Sequence, residues 1–441
     1  MSQHIVQALI SGSTKLAVIG LGYVGLPAAI EFSKYIHVIG FDIDQKRIRA
    51  YQNGLDPADS GGEEIQNSSI EFTSDPGRLR EAQFVIVAVP TPTAQDRTPD
   101  FSALIQASRI VGENLAHDAI VVFESTVYPG VTEELCVPVI EQASGLKCGE
   151  HWRIGYSPER INPGDPVHTF STVRKIVSGM DKETTEEIQK VYELAVKAGT
   201  YPVSTIRTAE AVKVMENSQR DVNIAFMNEC SKLCDKSDID TYEVFEAMKT
   251  KWNGLAFQPG LVGGHCVGED SYYLLEYAKK VGCSMSVLSH GRNTNEAMAD
   301  YIACKAVEKM MGAKKDLKDC TVLVWGITFK ENCSDIRNSK AADLIAKIRT
   351  YQIDPIVTDE WADLESVREM YGIELVPFEK LPPADCIIVV VGHQRYQSLS
   401  IEQLLKMYKT DLPDNKKILL DIKSLYSLEE LNASGLCFWR L

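Results

Sequence analysis

No apolar run in the sequence approaches the roughly 20 residues needed to span a bilayer; the longest, such as Ile387 to Val391, are strand-sized. The N-terminal MSQHIVQALISGSTK lacks a basic segment followed by a long apolar stretch. That excludes a signal peptide from the reading and points to the cytoplasm. Basic charge is in deficit: 46 Lys and Arg face 61 Asp and Glu, a formal net charge of −15. A general nucleic-acid or anionic-membrane surface is therefore not expected, which leaves room for a local basic pocket for a diphosphate. The 11 cysteines form no C-x-x-C pair, so neither a structural zinc site nor any other metal is expected, and reduced thiols are the default. Low-complexity segments and short-period repeats are missing too.

What is present suits a globular chain of two or three domains, since 441 residues exceed one hydrophobic core. From Lys15 to about Thr205, apolar strands alternate with stretches of helix length. The strand candidates are Leu16 to Gly20, His37 to Asp42, Phe84 to Val89 and Ile120 to Phe123. This βαβ spacing implies a parallel sheet. Residues 207–237 contain no Gly or Pro and carry Val212, Met215, Val222 and Phe226 at helical spacing, which predicts one long helix. Further helix is expected at Tyr242 to Met248 and over Met285 to Met311. Strands return at Thr321 to Trp325, Cys386 to Val391 and Lys417 to Leu420. The fold class read from this is α/β, with two doubly wound, Rossmann-like domains (1–205 and 313–441) joined by an all-helical domain (206–312) through a long connecting helix. Such a helix is also a natural surface for a homodimer.

The stretch Gly20-Leu-Gly22-Tyr-Val-Gly25 follows a strand and opens a helix. Gly20 suits the tight turn, Gly22 the approach of a pyrophosphate, and Gly25 close helix–strand packing, with the helix N-terminus offering N–H groups to phosphate. Asp42 ends the next strand, where an acid holds a ribose diol and repels a 2′-phosphate, so the expected cofactor is NAD rather than NADP. Two more strand ends are followed by Pro90-Thr91-Pro-Thr93 and by Glu124-Ser125-Thr126-Val-Tyr-Pro-Gly130. Thr91, Ser125 and Thr126 either face cofactor or substrate there, or simply cap the following helices. The polar stretch from Ser157 to Asp165 reads as a functional loop.

One cysteine stands apart. Cys266 follows Gly263-Gly264-His265 and precedes an amphipathic helix expected to begin near Glu269, with Asp270 four residues on. The glycines would let a substrate approach the sulfur, and a helix N-terminus favours the nucleophilic thiolate. Lys213 and Asn217, four apart on the long helix, share a face. An ammonium beside an amide suits a developing oxyanion, though a solvated Lys–Asn pair is the commoner meaning of such spacing.

Seven ordered anchors carry a resemblance. They are GLGYVGLP at 20–27, PTP at 90–92, ESTVYPG at 124–130, SPERINPG at 157–164, Lys213 with Asn217, GGHC at 263–266 with Asp270, and FKENCSDIRNS at 329–339. Together they resemble the UDP-glucose/GDP-mannose dehydrogenase family over nearly the whole chain. The STVYPG, PERINPG and GLVGGHC segments are similar to its branch acting on UDP-N-acetylhexosamines for surface polysaccharides such as capsule and O-antigen. Pro163 stands where UDP-glucose enzymes carry a second glutamate, which argues against UDP-glucose. Glu269 and Ser271 depart from the G-V-D-P more usual in this branch.

The resemblance implies oxidation of C6 from alcohol to carboxylate with two NAD+ per sugar. It implies that Cys266 attacks the C6 aldehyde, that Lys213 and Asn217 stabilise the oxyanion and contact substrate, that Asp270 with Thr126 holds a water, and that Glu159 assists thioester hydrolysis. It places Tyr23, Val24, Arg47, Pro90, Thr91, Ser125 and Arg337 at the cofactor. It places Glu159, Arg160, Phe257 to Gly260, Gly263 and Lys330 at the UDP-sugar. UDP-N-acetylglucosamine is the first choice, ahead of UDP-N-acetylgalactosamine and UDP-N-acetylmannosamine. The rivals are a single-step NAD dehydrogenase, which needs no Cys266, and a non-catalytic nucleotide-sugar-binding regulator. NADH released per sugar (two, one or none) separates the three.

Overall fold

The computed structural model describes residues 4–56, 62–94, 96–161, 165, 167–264 and 266–441. The chain divides into two compact units, 1–217 with 272–284 and 218–271 with 285–441. Two of the three division points fall inside helices, Ile206–Lys236 and Val267–Lys280, and the third falls just before the helix Ser286–Glu296.

The first unit is built on an eight-stranded sheet. Its strands are β1 (Lys15–Ile19), β2 (Val38–Phe41), β3 (Glu71–Thr73), β4 (Ala82–Val87), β5 (Ile120–Phe123), β6 (Arg153–Tyr156), β7 (Lys175–Gly179) and β8 (Thr200–Pro202), ordered 3-2-1-4-5-6-7-8. All neighbours run parallel except β6 and β7. The strands read as continuous apolar runs because both faces are covered. Leu16, Val18, Val38, Phe84, Ile86 and Ile120 enter one core; Ala17, Ile19, Ile39, Val85, Val87 and Val121 enter the other, as a period of two requires. The strand order reverses at β1, whose neighbours are β2 and β4. Ligands of such sheets sit outside the carboxyl ends of the strands at that switch.

The second unit repeats the device with five parallel strands: β9 (Val322–Trp325), β10 (Ile356–Thr358), β11 (Cys386–Val389), β12 (Ile418–Asp421) and β13 (Cys437–Arg440), ordered 10-9-11-12-13. Its switch lies between β9 and β11.

Among the described residues no strand falls between Pro202 and Val322; this stretch is helical. The expected long helix is there as Ile206–Lys236, 31 residues. The helix expected over Met285 to Met311 is two, Ser286–Glu296 and Met298–Gly312, divided at Ala297 (φ −75°, ψ −5°) without Gly or Pro. The helix after Cys266 begins at Val267 rather than near Glu269. Among the described residues no helix is long and apolar enough to cross a membrane.

Candidate functional site

Each unit contributes its own set of groups. In the first, Gly20 leaves β1 at φ +88°, and a Cβ there would meet the Ala88 carbonyl oxygen at 2.7 Å. A Cβ on Gly25 would meet the Gly20 oxygen at 1.9 Å, so the helix Gly25–Ser33 can start this close to the strand only with glycine. A Cβ on Gly22 would have nothing within 4 Å. The turn is closed at two positions and open at the middle one, which fits a pyrophosphate. Asp42 is buried after β2. Its Oδ2 accepts from the Leu21 N–H (2.9 Å) and from Arg47 Nη1 (2.9 Å), and its Oδ1 from the Asp44 N–H (2.9 Å). Arg47 is thus brought to Asp42, and its guanidinium sits beside the acid expected to discriminate against a 2′-phosphate. Tyr23 is exposed and Val24 half-buried at the turn. These residues suit NAD.

The loops after β4 and β5 are stapled to each other. Thr91 Oγ1 donates to the Thr126 carbonyl (2.8 Å) and Ser125 Oγ to the Val89 carbonyl (2.8 Å). Neither hydroxyl caps a helix; both hold the strand-end loops in mutual register, with exposed Pro90 between. Thr126 is half-buried beside them. Farther along, Glu210 accepts from the N–H groups of Gly130 (2.6 Å) and Thr132 (2.9 Å), and burial pushes its carboxyl up to about 7.

Lys213 and Asn217 are buried on the long helix. Arg160 reaches this face: its Nη2 donates to Asn217 Oδ1 (2.9 Å) and its Nε pairs with Glu216 (2.7 Å). Three expected substrate residues are close together here, because Glu159 precedes Arg160. Glu159 is itself buried, its Oε1 accepting from the N–H groups of Arg160 (2.6 Å) and Ile161 (2.8 Å). Pro163, on which the argument against UDP-glucose turns, lies outside the described residues.

In the second unit, Cys266 is exposed, and its carbonyl accepts from the N–H groups of Asp270 (2.9 Å) and Glu269 (3.3 Å). Cys266 therefore stands at the N-cap position of the helix Val267–Lys280, at its positive end. Asp270 is buried in the first turn. The glycines before Cys266 serve the chain's own packing. A Cβ on Gly263 would meet the Asn338 oxygen at 2.4 Å, and one on Gly264 the Phe329 ring at 2.7 Å. Asn338 also donates to the Gly264 carbonyl (3.0 Å). Gly263 and Gly264 are thus pressed against Phe329 and Asn338 of the 329–339 segment.

Ser271, one of the two departures from the branch pattern, has a definite partner. Its Oγ donates to Asp221 Oδ2 (2.9 Å), while Asp221 Oδ1 takes Arg292 Nη1 (2.7 Å) and Asn295 Nδ2 (2.7 Å), all buried. Gly260 is clamped at both its N–H and its carbonyl by the Asn228 amide (2.8 and 3.0 Å), which fixes the end of the segment from half-buried Phe257. A cavity at the carboxyl ends of β9, β11 and β12 is lined by Gly263, Phe329, Lys330, Lys340, Val391 and Lys423. This is the switch position where a nucleotide is expected. Arg337 is half exposed and forms a bidentate pair with Asp335 (3.0 and 2.8 Å).

Sequence reasoning missed Glu210, Asp221, Asn228 and Arg292. Each lies on a helix whose pattern marks it only as polar, and no local signal shows that it is buried.

Comparisons with known proteins agree with this arrangement. Residues 14–196 match the UDP-glucose/GDP-mannose dehydrogenase family, NAD binding domain; 207–297 match its central domain and 323–427 its UDP binding domain. The chain is 45% identical over 427 residues to Protein CapL of Staphylococcus aureus, covering 97% of this chain and 99% of that one. It is 42% identical over 418 residues to UDP-N-acetyl-D-glucosamine 6-dehydrogenase of Salmonella typhi, covering 94% and 97%. Among solved structures, UDP-D-ManNAc dehydrogenase from Pyrococcus horikoshii is similar with a TM-score of 0.85 at 28% identity, covering 97% of this chain and 99% of the other. An NAD turn, a helix-capping cysteine and a second switch-point cavity, matched in order by all three domains, establish that the chain belongs to the UDP-glucose/GDP-mannose dehydrogenase family.

Proposed function

We propose that this NAD-dependent dehydrogenase oxidises the C6 hydroxyl of UDP-N-acetylglucosamine to the carboxylate, in two oxidations through a thioester on Cys266. The observation that carries the reading is Cys266, exposed at a helix N-terminus, a setting that favours a thiolate. The choice of sugar rests on relatives at 41–42% identity named for UDP-N-acetyl-D-glucosamine, against 26–30% for those named for UDP-N-acetyl-D-mannosamine.

Gly20, Gly22, Gly25 and Asp42 would hold NAD+, which when bound supplies the two-electron acceptor for each oxidation. Asp270 and Thr126 hold the water that takes the hydroxyl proton. The Cys266 thiolate then adds to the C6 aldehyde, forming a C–S bond and an oxyanion. Lys213 and Asn217 stabilise that oxyanion, and the covalent link keeps a reactive aldehyde from escaping. After the second oxidation, water attacks the thioester with help from Glu159; the C–S bond breaks and Cys266 leaves as thiolate. Lys330 and the 257–260 segment bind the UDP-sugar, and Arg337 assists with the cofactor. The product feeds surface polysaccharide assembly. Val222, Phe226 and Leu233 share a helix face on which Phe226 is 57% and Leu233 67% exposed, which supports a homodimer.

The test is NADH yield per sugar over a panel of UDP-sugars, together with Cys266 variants. UDP-N-acetylglucosamine should give two NADH and UDP-glucose far slower turnover. Cys266→Ala should abolish uronate formation, at a cost of about 3 kcal/mol or more in the barrier. Cys266→Ser should accumulate a covalent sugar adduct by intact mass. Two-NADH turnover by Cys266→Ala would sink the covalent route.

A further inference from the structure

Lys175, in β7 of the first unit, is among the most deeply buried cations of the chain, and nothing in the reaction as described above uses it. Its side chain is 3% exposed, and its ammonium lies between two carboxylates. It pairs with Glu159, and it reaches Glu124 Oε2 at 3.1 Å. Glu124 also accepts from the Tyr192 hydroxyl, and the ammonium lies 4.8 Å from the Phe170 ring centre and 5.5 Å from that of Tyr192. The two carboxylates come from different loops. Glu124 directly follows β5 and precedes Ser125 and Thr126; Glu159 lies in the loop after β6. The free oxygen of Glu159 accepts the N–H groups of its own loop at Arg160 and Ile161.

Burying three charged groups is a poor way to gain stability, since apolar residues of similar volume do as well or better. What such a cluster does provide is a fixed geometry. Here the geometry spans the two loops that bear Thr126 and Glu159, at the carboxyl ends of adjacent parallel strands.

We propose that Lys175 is a positioning residue of the catalytic centre: one buried ammonium ties the Thr126 loop to the Glu159 loop and holds the Glu159 carboxylate in place for thioester hydrolysis. This rests on the hydrolytic role given to Glu159 above. Burial alone would lower the Lys175 ammonium, but the carboxylates of Glu124 and Glu159 hold it above its ordinary value, so it stays charged. Burial pushes Glu124 up, against the pull of the Lys175 ammonium.

The experiment uses the full-length enzyme with NAD+ and UDP-N-acetylglucosamine, following NADH by rapid mixing, acyl-enzyme by intact mass, and kcat across pH. Removing a cation from beside a carboxylate favours its protonated form. Lys175→Met should therefore move the acidic limb of kcat to higher pH, with a loss of about tenfold or more on that limb that recovers as pH rises. Acyl-enzyme should accumulate where the parent shows none. A merely structural lesion would lower kcat at every pH alike. Should Lys175→Met fail to fold, Lys175→Met/Glu124→Gln keeps the net charge of the pocket and should show a smaller shift in the same direction, because the lost ammonium pairs with Glu159 directly and the neutralised Glu124 does not. Glu159→Gln separates the two ideas. If it accumulates acyl-enzyme while both Lys175 variants keep the parental pH profile, the positioning role is overturned. If it turns over like the parent, the hydrolytic reading falls and takes this proposal with it.

Discussion

The heads of the two sheets use one device to opposite ends. In the first unit the strand β1 ends in Gly20 (φ +88°), whose Cβ position is filled by the Ala88 carbonyl beyond β4. In the second, β9 ends in Gly326 (φ +95°), whose Cβ position is filled by Val391 beyond β11. Asp42 follows β2 and accepts the Leu21 N–H; Asp359 follows β10 and accepts the N–H groups of Ile327 (2.7 Å) and Thr328 (3.1 Å). The other oxygen of each acid takes the N–H two residues on, from Asp44 (2.9 Å) and from Trp361 (2.8 Å). There the likeness stops. The first turn is open at Gly22 and its helix starts at Gly25, with a part-exposed Arg47 on the acid. The second is sealed: Thr328 occupies the middle position, and the fully buried His393 bonds Asp359 Oδ2 through Nε2 (3.0 Å). The Asn332 N–H donates to His393 Nδ1 (3.0 Å), so this imidazole braces the loop that carries Lys330. The same acid at the same place in a sheet becomes a cofactor group or a strut according to what fills the middle of the turn.

This contrast can be broken by matched substitutions. The largest effect is expected at the strut. Asp359→Ala leaves buried N–H groups and His393 without their acceptor and should cost about 3–5 kcal/mol, read as a lower urea midpoint. Asp42→Ala should cost far less stability. Instead it should shift the NADP+ to NAD+ ratio of kcat/KM at least about tenfold toward NADP+, because Arg47 is released to meet a 2′-phosphate. Similar stability losses at both acids, with no change in cofactor preference, would erase the distinction.

The glycines give the next contrast. Gly25→Ala places a methyl group on the Gly20 carbonyl and should weaken NAD+ binding about a hundredfold in a fluorescence titration. Gly326→Ala should lower the urea midpoint while leaving NAD+ affinity unchanged.

The smallest effect is the response to acid. Burial works to raise Asp359, but the His393 bond and the backbone N–H donors outweigh it and hold the carboxyl below its usual range. Its stabilisation is therefore fully present above the unfolded carboxylate value, near 3.9, and is lost as pH falls through the folded value. The urea midpoint of the parent should fall more steeply below about pH 4 than that of Asp359→Asn. Parallel acid curves would show that the strut carries no proton linkage.

How much of this was legible can be judged at particular residues. Gly20, Gly22, Gly25 and Asp42 are readable because phosphate and ribose binding impose a short, local spacing on one strand–turn–helix. The long helix was placed within a residue at each end, since 31 residues of helical periodicity average out local ambiguity. The break at Ala297 was not legible, because the apolar period continues across it and neither Gly nor Pro marks it. The strands β3, β6, β7, β8, β10 and β13 were missed, and with them the antiparallel reversal between β6 and β7. For the glycines before Cys266 the sequence suggests room for a substrate, while the structure fills that space with Asn338 and Phe329.

By itself the sequence determined two doubly wound sheets with helices between, one open glycine turn, and a cysteine placed to begin a helix. Each follows from hydrophobic period or from chemistry that acts over a few residues. Only the tertiary structure decided which polar groups are buried and with whom: Lys175 between Glu124 and Glu159, Asp221 among Ser271, Arg292 and Asn295, Asp359 against His393. Those pairings join residues from 16 to 74 positions apart, and a buried charge and a solvated one look alike in a sequence. They are told apart by desolvation, which exists only once the chain has closed around them.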